Sequence, residues 1–319
     1  MTDTLQPPAE TVREPGCADV FRRLGGDPTG TATQMRSWLL IEHDGPWPAD
    51  VLTRVLKAAL RPERRAELAT LQGEAGLRPL LIRRVRRPRR PGVDWPVTVL
   101  AGGGLPGHRW LEEITLPRLT DLGDLDLEAI AAGRGGLGRP VDGPMFLVCT
   151  HGRKDVCCAS FGRPVARALD AAHPGRVWET THVGGDRWAA NLLTVPDGLL
   201  HGQLDPATAD LVVRAALRRE VHPGLLRGRT SASPWAQAAE VAVRVKTGLR
   251  GLDDVLAVSE RRHGSPGEPP LGCTVAVSAG AELWEVRLQR RPTGACAESR
   301  CDPLLKPAEW VVERLDLTG

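Results

Sequence analysis

MFLVCTHGRKDVCCASFGRPVARAL (145–169) and VWETTHVGGDRWAANLLTVPDGLLHGQL (177–204) are the two stretches around which the chain is organised. In the first, an apolar strand leads into a glycine-bearing loop and then a helix with Val165, Ala166 and Leu169 on one face. The second contains another short strand and a hairpin that turns at Pro-Asp-Gly. Strand, helix and strand in this order predict an α/β unit.

An earlier segment, SWLLIEHDGPWPADVL (37–52), has the same order of strand, loop and helix, with Gly-Pro-Trp where the later segment has cysteines. We therefore predict two related α/β modules, one without ligands and one with them. Four regions follow from this interpretation. They are a disordered lead-in (1–16), an N-terminal module (17–138), a ligand-bearing module with a helical extension (139–250), and a C-terminal strand pair with a tail (251–319).

Composition is that of a globular protein. The chain has 319 residues, of which 41% are apolar and 25% charged, and this length favours two domains. Apolar runs are too short for a membrane span, and the polar N-terminus has no signal-peptide pattern. Seven cysteines without export predict thiols or metal ligands in the cytoplasm, and a net charge of +3 argues against a general nucleic-acid binder.

The two quoted stretches, 145–169 and 177–204, contain three cysteines and three histidines: Cys149, Cys157, Cys158, His151, His182 and His201. Sulfur and imidazole ligands gathered on loops between strands and helices are what a metal or redox centre needs. Cys149 ends one strand, Cys158 starts the following helix, and His182 ends the next strand. A thiolate at a helix N-terminus is stabilised by the unpaired N–H groups there.

Ordinary structural roles compete with this hypothesis. Cysteines are common buried hydrophobic residues, and the adjacent Cys157 and Cys158 cannot both point the same way. Asp186 could cap a helix or pair with Arg187 or Arg153, which would then surround the site. A thiol–disulfide activity is also conceivable, although the chain has no C-x-x-C motif.

One basic run stands out, and its members are Arg83, Arg84, Arg86, Arg87, Arg89 and Arg90. Charge at a sheet edge protects against aggregation, so a solvated edge is one interpretation. The other is a docking patch for an acidic redox partner such as a reductase. Nucleic acid is disfavoured because no aromatic residues alternate with the arginines.

Together with GTATQMRSWLLIEHDGPW (30–47) and LRGRTSASPWAQAAE (226–240), these segments resemble the sucrase/ferredoxin-like proteins, also described as thioredoxin-like ferredoxins. The resemblance covers about residues 17–315. It implies a thioredoxin-like fold for the second module and a [2Fe–2S] cluster. With the internal repeat, we predict an α/β protein of two thioredoxin-like modules and a helical and short-strand C-terminal extension.

Cluster ligands are also implied by this resemblance. In the family pattern, two cysteines separated by eight residues match Cys149 and Cys158, and the first histidine of an H-x-x-x-H pair matches His182. The second histidine is replaced by Asp186, and a carboxylate is a harder ligand than an iron–sulfur cluster usually takes. Three alternatives stay open: Asp186 ligates, Cys157 or His151 takes its place, or no cluster is bound.

A double glycine, Gly184–Gly185, follows His182, and we expect it to let the backbone pass close to the cluster. The implied function is one-electron transfer, with the histidine raising the reduction potential. A sucrase would need two placed carboxylic acids, and no such pair stands out. The alternatives are a cluster-free thiol–disulfide oxidoreductase and a degenerate, non-redox interaction protein.

Overall fold

The computed structural model describes residues 16–86, 96–264, 270–292 and 308–318. The helices are α1 Cys17–Arg23, α2 Val51–Ala59, α3 Pro62–Glu74, α4 Leu127–Ala131, α5 Val156–Ala172, α6 Pro206–Leu217 and α7 Pro234–Thr247, with 3-10 turns at Leu119–Asp124 and Asp186–Trp188. The strands are β1 Ser37–Glu42, β2 Leu77–Arg84, β3 Val97–Leu105, β4 His108–Leu116, β5 Arg139–Pro140, β6 Met145–Cys149, β7 Val177–Thr180, β8 Leu192–Val195, β9 Leu199–His201, β10 Leu226–Arg229, β11 Val255–His263, β12 Gly272–Ala279, β13 Glu282–Pro292 and β14 Ala308–Leu317.

Ten strands form one sheet in the order β10-β9-β8-β6-β7-β2-β1-β3-β4-β5. In the first half β1 is parallel to β2, β3 is antiparallel to β1, and β4 is antiparallel to β3. In the second half β6, β7, β8 and β9 repeat these pairings in the same order. Antiparallel pairing of β2 with β7 joins the halves. The mixed α/β class is therefore confirmed.

Both faces of the central strands are covered, which explains their continuous apolar sequences. In β1, Trp38 and Leu40 face a core shared with Leu147 and Cys149 of β6. The opposite face of β1 packs under α2, α3 and α4, and the opposite face of β6 packs under α5 and α6. The end of β6 therefore points its last side chain into the core common to both halves.

The C-terminal region differs from the predicted strand pair. It is a four-stranded sheet in the order β11-β12-β13-β14, and α7 packs on it through Trp235, Ala239 and Val243. The inner strands β12 and β13 were predicted, whereas the outer strands β11 and β14 were missed. Outer strands carry charged residues on their solvent side, so their apolar pattern is interrupted.

Several boundaries bear on the site. The helix α5 begins at Val156, so both Cys157 and Cys158 lie in its first turn. The strand β7 ends at Thr180, which leaves His182 in the loop that follows.

The predicted β8–β9 hairpin is confirmed. Ser233 caps α7, and its Oγ accepts a hydrogen bond from Ala236 N at 3.1 Å. Within the described ranges, no helix is both long and apolar enough to cross a membrane.

Candidate metal centre

Three of the predicted ligands converge. One donor atom from each of Cys149, Cys158 and His182 lies within 4.8 Å of the others. The Sγ atom of Cys158 is 3.7 Å from His182 Nδ1. Both cysteines are buried, and His182 is partly exposed. The carboxyl end of β6, the first turn of α5 and the loop after β7 therefore supply one donor each.

A glycine on α5 sets how closely the two cysteine-bearing elements approach. A Cβ atom at Gly162 would collide with the carbonyl oxygen of Cys149. The helix can therefore lie directly over the end of β6 only because residue 162 has no side chain. Sequence analysis overlooked Gly162, although an isolated glycine inside a helical pattern signals such close contact.

A hydrogen bond joins the side chains of Cys149 and Cys158. A hydrogen bond from the Cys158 thiol holds the pKa of Cys149 well below its usual range, with a smaller contribution from His182, and together these outweigh burial. The same bond to Cys149, reinforced by burial, raises the pKa of Cys158. One buried thiolate is thus already stabilised, and a metal ion that displaced the remaining proton would bind both sulfurs.

A further candidate donor is His151, which lies outside the group of three donors but close enough for the charge of Cys149 to act on its ring. His151 is 4% exposed, and its Nε2 is 3.0 Å from the carbonyl oxygen of Pro48. Because a carbonyl can only accept, Nε2 carries the proton and Nδ1 has a lone pair. Nδ1 is buried without a hydrogen-bond partner in the described structure. Burial lowers the pKa of His151, and the Cys149 charge opposes that shift. A neutral imidazole with an unused nitrogen is a competent ligand.

Asp186 begins the 3-10 turn Asp186–Trp188, and its side chain meets that of Asp155. Burial, and then this hydrogen bond, raise the pKa of Asp155. Asp186 lies outside the group formed by Cys149, Cys158 and His182. It is nevertheless close enough for its charge to act on Cys158. Its role as fourth ligand stays a prediction.

The double glycine is required by its backbone conformation and its close neighbours, and its passage close to a cluster stays a prediction. Gly184 and Gly185 adopt φ values of +91° and +74°, which favour glycine. A Cβ atom at Gly184 would collide with Thr33, and one at Gly185 with the guanidinium group of Arg227. Gly184 therefore makes room for Thr33, and Gly185 makes room for Arg227. That residue is 1% exposed and donates hydrogen bonds of 2.8 Å to Gly184 O and to Asn191 Oδ1.

Arg227 is a buried cation whose described hydrogen-bond acceptors are all uncharged oxygens. Burial lowers its pKa to about 9, while Asp186, Cys149 and Cys158 are the negative groups that oppose the shift. Buried charges need compensation, so Arg227 balances the thiolates and the nearby carboxylate. The sequence did not single out Arg227, because the chain contains many arginines and nothing local distinguishes this one.

The other predicted residues lie around this centre. Arg187 stacks over the ring of Phe21 at 5.3 Å, and Arg153 is exposed. Cys157 belongs to a separate group with Cys17 and Asp155. Cys157 and Cys158 therefore point in different directions, as their adjacency in the chain predicts.

The described part of the arginine run is engaged within the fold. Arg83 donates to Glu179 at 2.5 Å and stacks over Trp47 at 4.0 Å. The neighbouring Arg84 stacks over Trp178 at 3.6 Å, and Arg86 pairs with an aspartate of α5 at 3.2 Å. The last three members, Arg87, Arg89 and Arg90, lie outside the described residues. A docking role stays a prediction.

The fold and this centre define a mixed α/β protein with two buried thiols and an imidazole at the junction of a strand, a helix and a loop. The sucrase/ferredoxin-like family model matches residues 28–228, which is more than half of the chain, so the chain belongs to that family. No curated protein and no solved structure matches it.

Proposed function

We propose that this protein is a one-electron carrier that binds a [2Fe–2S] cluster through Cys149, Cys158 and His182. The observation that carries the proposal is the convergence of these three donors on one buried point. We place the cluster on a thioredoxin-like ferredoxin module in the cytoplasm. The repeated strand order of the two halves supports the idea of related modules.

The residues present fit such a cluster in three respects. Thiolate and imidazole are the donor types that mixed-ligand [2Fe–2S] centres use. The buried His151, whose Nδ1 has no hydrogen-bond partner in the described structure, offers one more candidate nitrogen. The buried guanidinium of Arg227 supplies positive charge near the thiolates. When bound, the cluster takes up and releases a single electron.

The chain's own residues have definable roles in this centre. Cys149 and Cys158 would bind through their sulfur atoms as thiolates, and His182 would bind through a ring nitrogen. Arg227 holds the loop at Gly184 and compensates part of the negative charge. The fourth position is predicted to be Asp186, with His151 or Cys157 as the competing donor.

Anaerobic purification followed by absorption and EPR spectroscopy tests the proposal, together with iron and sulfide analysis. We expect a coloured protein with about two irons and two sulfides per chain. The variants Cys149→Ser, Cys158→Ser and His182→Ala should lose the colour. The matched control Cys273→Ser, which removes a buried cysteine from the second sheet, should keep it. Colourless wild-type protein without iron would refute the proposal.

The fourth ligand is decided by a second set of variants. Loss of the cluster in Asp186→Ala, with recovery in Asp186→His, would assign that position to Asp186. Loss in His151→Gln, with Asp186→Ala unaffected, would assign it to His151. A ligand change alters the EPR spectrum even where iron is retained, so the two results are distinguishable.

Both alternatives give other outcomes in the same preparation. A thiol–disulfide oxidoreductase would be colourless and would reduce a disulfide substrate through Cys149, Cys157 or Cys158. A degenerate interaction protein would be colourless and inert in both assays. The electron partner is proposed to be a reductase-like protein that meets the surface near Arg86, and charge reversal there should weaken coupling.

A further inference from the structure

A second pair of thiols lies on the other side of the first turn of α5. The Sγ atoms of Cys17 and Cys157 are 3.9 Å apart, although the residues are separated by 140 positions in the chain. Cys17 opens α1 and Cys157 lies in α5. Their exposures are 6% and 3%. The fold therefore brings two distant sulfurs into contact.

Packing holds these sulfurs face to face. A Cβ atom at Gly16 would lie 2.6 Å from the sulfur of Cys157, so the glycine before α1 leaves the space that this sulfur occupies. The pair forms a small apolar cluster with Ala18 and Ala189. Asp155 caps α5 by accepting a hydrogen bond from the backbone N–H of Cys157 at 2.7 Å, which fixes the turn that carries the thiol.

This pair is separate from the three donors that converge in the candidate metal centre. Consecutive residues of an α-helix point about 100° apart, so Cys157 and Cys158 face different neighbours. Cys158 joins Cys149 and His182, whereas Cys157 joins Cys17. The bond proposed below needs no metal, and its sulfurs are not among the three converging donors.

We propose that Cys17 and Cys157 form a reversible disulfide and make this a redox-sensitive modification site, with a peroxide as the oxidant. One thiol sulfur attacks the O–O bond of hydrogen peroxide, which breaks to give a sulfenic acid and one water molecule. The second thiol sulfur then attacks the first. An S–S bond forms and a second water molecule leaves, so two electrons pass from the thiols to the peroxide. A dithiol reductant reverses the change.

Burial supports a peroxide as the reagent, because two enclosed sulfurs are accessible to a small molecule and hindered for a bulky disulfide. Bond formation requires the sulfurs to close from 3.9 Å to a bonded distance of about 2.05 Å. Rotation of the two side chains can share that movement. A C-x-x-C motif is not needed, since the two partners come from different elements.

Oxidation would tie together two elements that border the candidate metal centre. On one side is the first turn of α5, where Cys157 directly precedes Cys158. On the other is α1, whose Phe21 packs edge-on against Trp188 at 5.0 Å and whose Arg22 donates to Ala189 O at 2.7 Å. The bond would therefore fix α1, and with it the turn at Asp186–Trp188, against the ligand-bearing helix.

The test uses the full-length protein treated with increasing hydrogen peroxide, then alkylated and digested without reduction. We expect a cross-linked peptide pair containing Cys17 and Cys157, lighter than its separate parts by two hydrogen atoms and restored by dithiothreitol. Cys157 and Cys158 fall in one tryptic peptide, so its mass alone does not show which of them is bonded. Fragmentation of the cross-linked peptide in the mass spectrometer assigns the bond. Iron content is measured on the same samples, so failure of the cluster proposal and failure of this one are distinguishable.

Matched variants complete the experiment. Cys17→Ser and Cys157→Ser should each abolish the cross-link, and Cys273→Ser should leave it unchanged. Oxidised wild-type protein should melt at a higher temperature than reduced protein, because the bond closes a long segment of chain. This shift should vanish in Cys17→Ser. Recovery of Cys17 and Cys157 as separately oxidised residues, or a bond from Cys157 to Cys149 or Cys158, would overturn the proposal.

Discussion

Acidification should destabilise this protein through one buried histidine. His201 lies in β9 with 1% exposure, and its Nε2 is 2.9 Å from the carbonyl oxygen of His222. Because that carbonyl accepts, Nε2 carries the hydrogen, and Nδ1 is buried without a partner in the described structure. Protonation would place a second N–H and a full charge in the core. Burial accordingly lowers the pKa of His201 to about 4.

The sign and size of the effect follow from proton linkage. In the unfolded chain His201 binds a proton near its ordinary pKa of 6.5, whereas in the folded chain it stays neutral until the pH falls to about 4. Below pH 6.5 the unfolded state therefore binds more protons, and stability falls as the pH falls. Between pH 7 and pH 5 this one residue should remove about 2 kcal/mol from the free energy of unfolding.

Denaturant unfolding at pH 7, 6 and 5 measures this loss. The variant His201→Gln keeps a hydrogen-bond donor and cannot be protonated, so its stability should depend less on pH by the same 2 kcal/mol or so. The control His108→Gln removes an exposed histidine at the start of β4 and should retain the wild-type dependence. Equal pH slopes for wild type and His201→Gln would refute the reasoning.

Three further predictions concern buried contacts and are checked by denaturant unfolding. Gly162→Ala would push α5 away from β6, which should lower the free energy of unfolding by about 1–3 kcal/mol and release any bound metal. The control Gly73→Ala adds a side chain where there is open space, so it should be neutral or slightly stabilising. Arg229 and Glu240 form a buried ion pair with a separation of 3.4 Å. The variant Glu240→Gln leaves the buried guanidinium without its carboxylate and should lower the free energy of unfolding by about 3–5 kcal/mol. Arg227→Met should cost roughly 2–4 kcal/mol, since it orphans buried acceptors. Losses below 0.5 kcal/mol in the last two would contradict the assigned contacts.

Local sequence determined the parts of the site that depend on neighbouring residues. Continuous apolar runs such as those of β1 and β6 predict strands buried on both faces, and both strands lie in that position. Residues that end or follow adjacent strands must meet at one edge of a sheet. For this reason Cys149, Cys158 and His182 could be predicted as a group before their distances were known.

Only the tertiary structure decided the contacts between distant segments. Nothing local in the chain indicates that Cys17 meets Cys157, or that Arg227 lies behind the loop at Gly184. Those contacts arise because α1 packs on the turn at Trp188 through Phe21, and because β10 joins the half of the sheet that contains β6 and β7. Asp186 likewise meets Asp155, which lies before α5. Short-range patterns specify strands and helices, whereas the pairing of strands far apart in sequence selects which buried charges and thiols become neighbours.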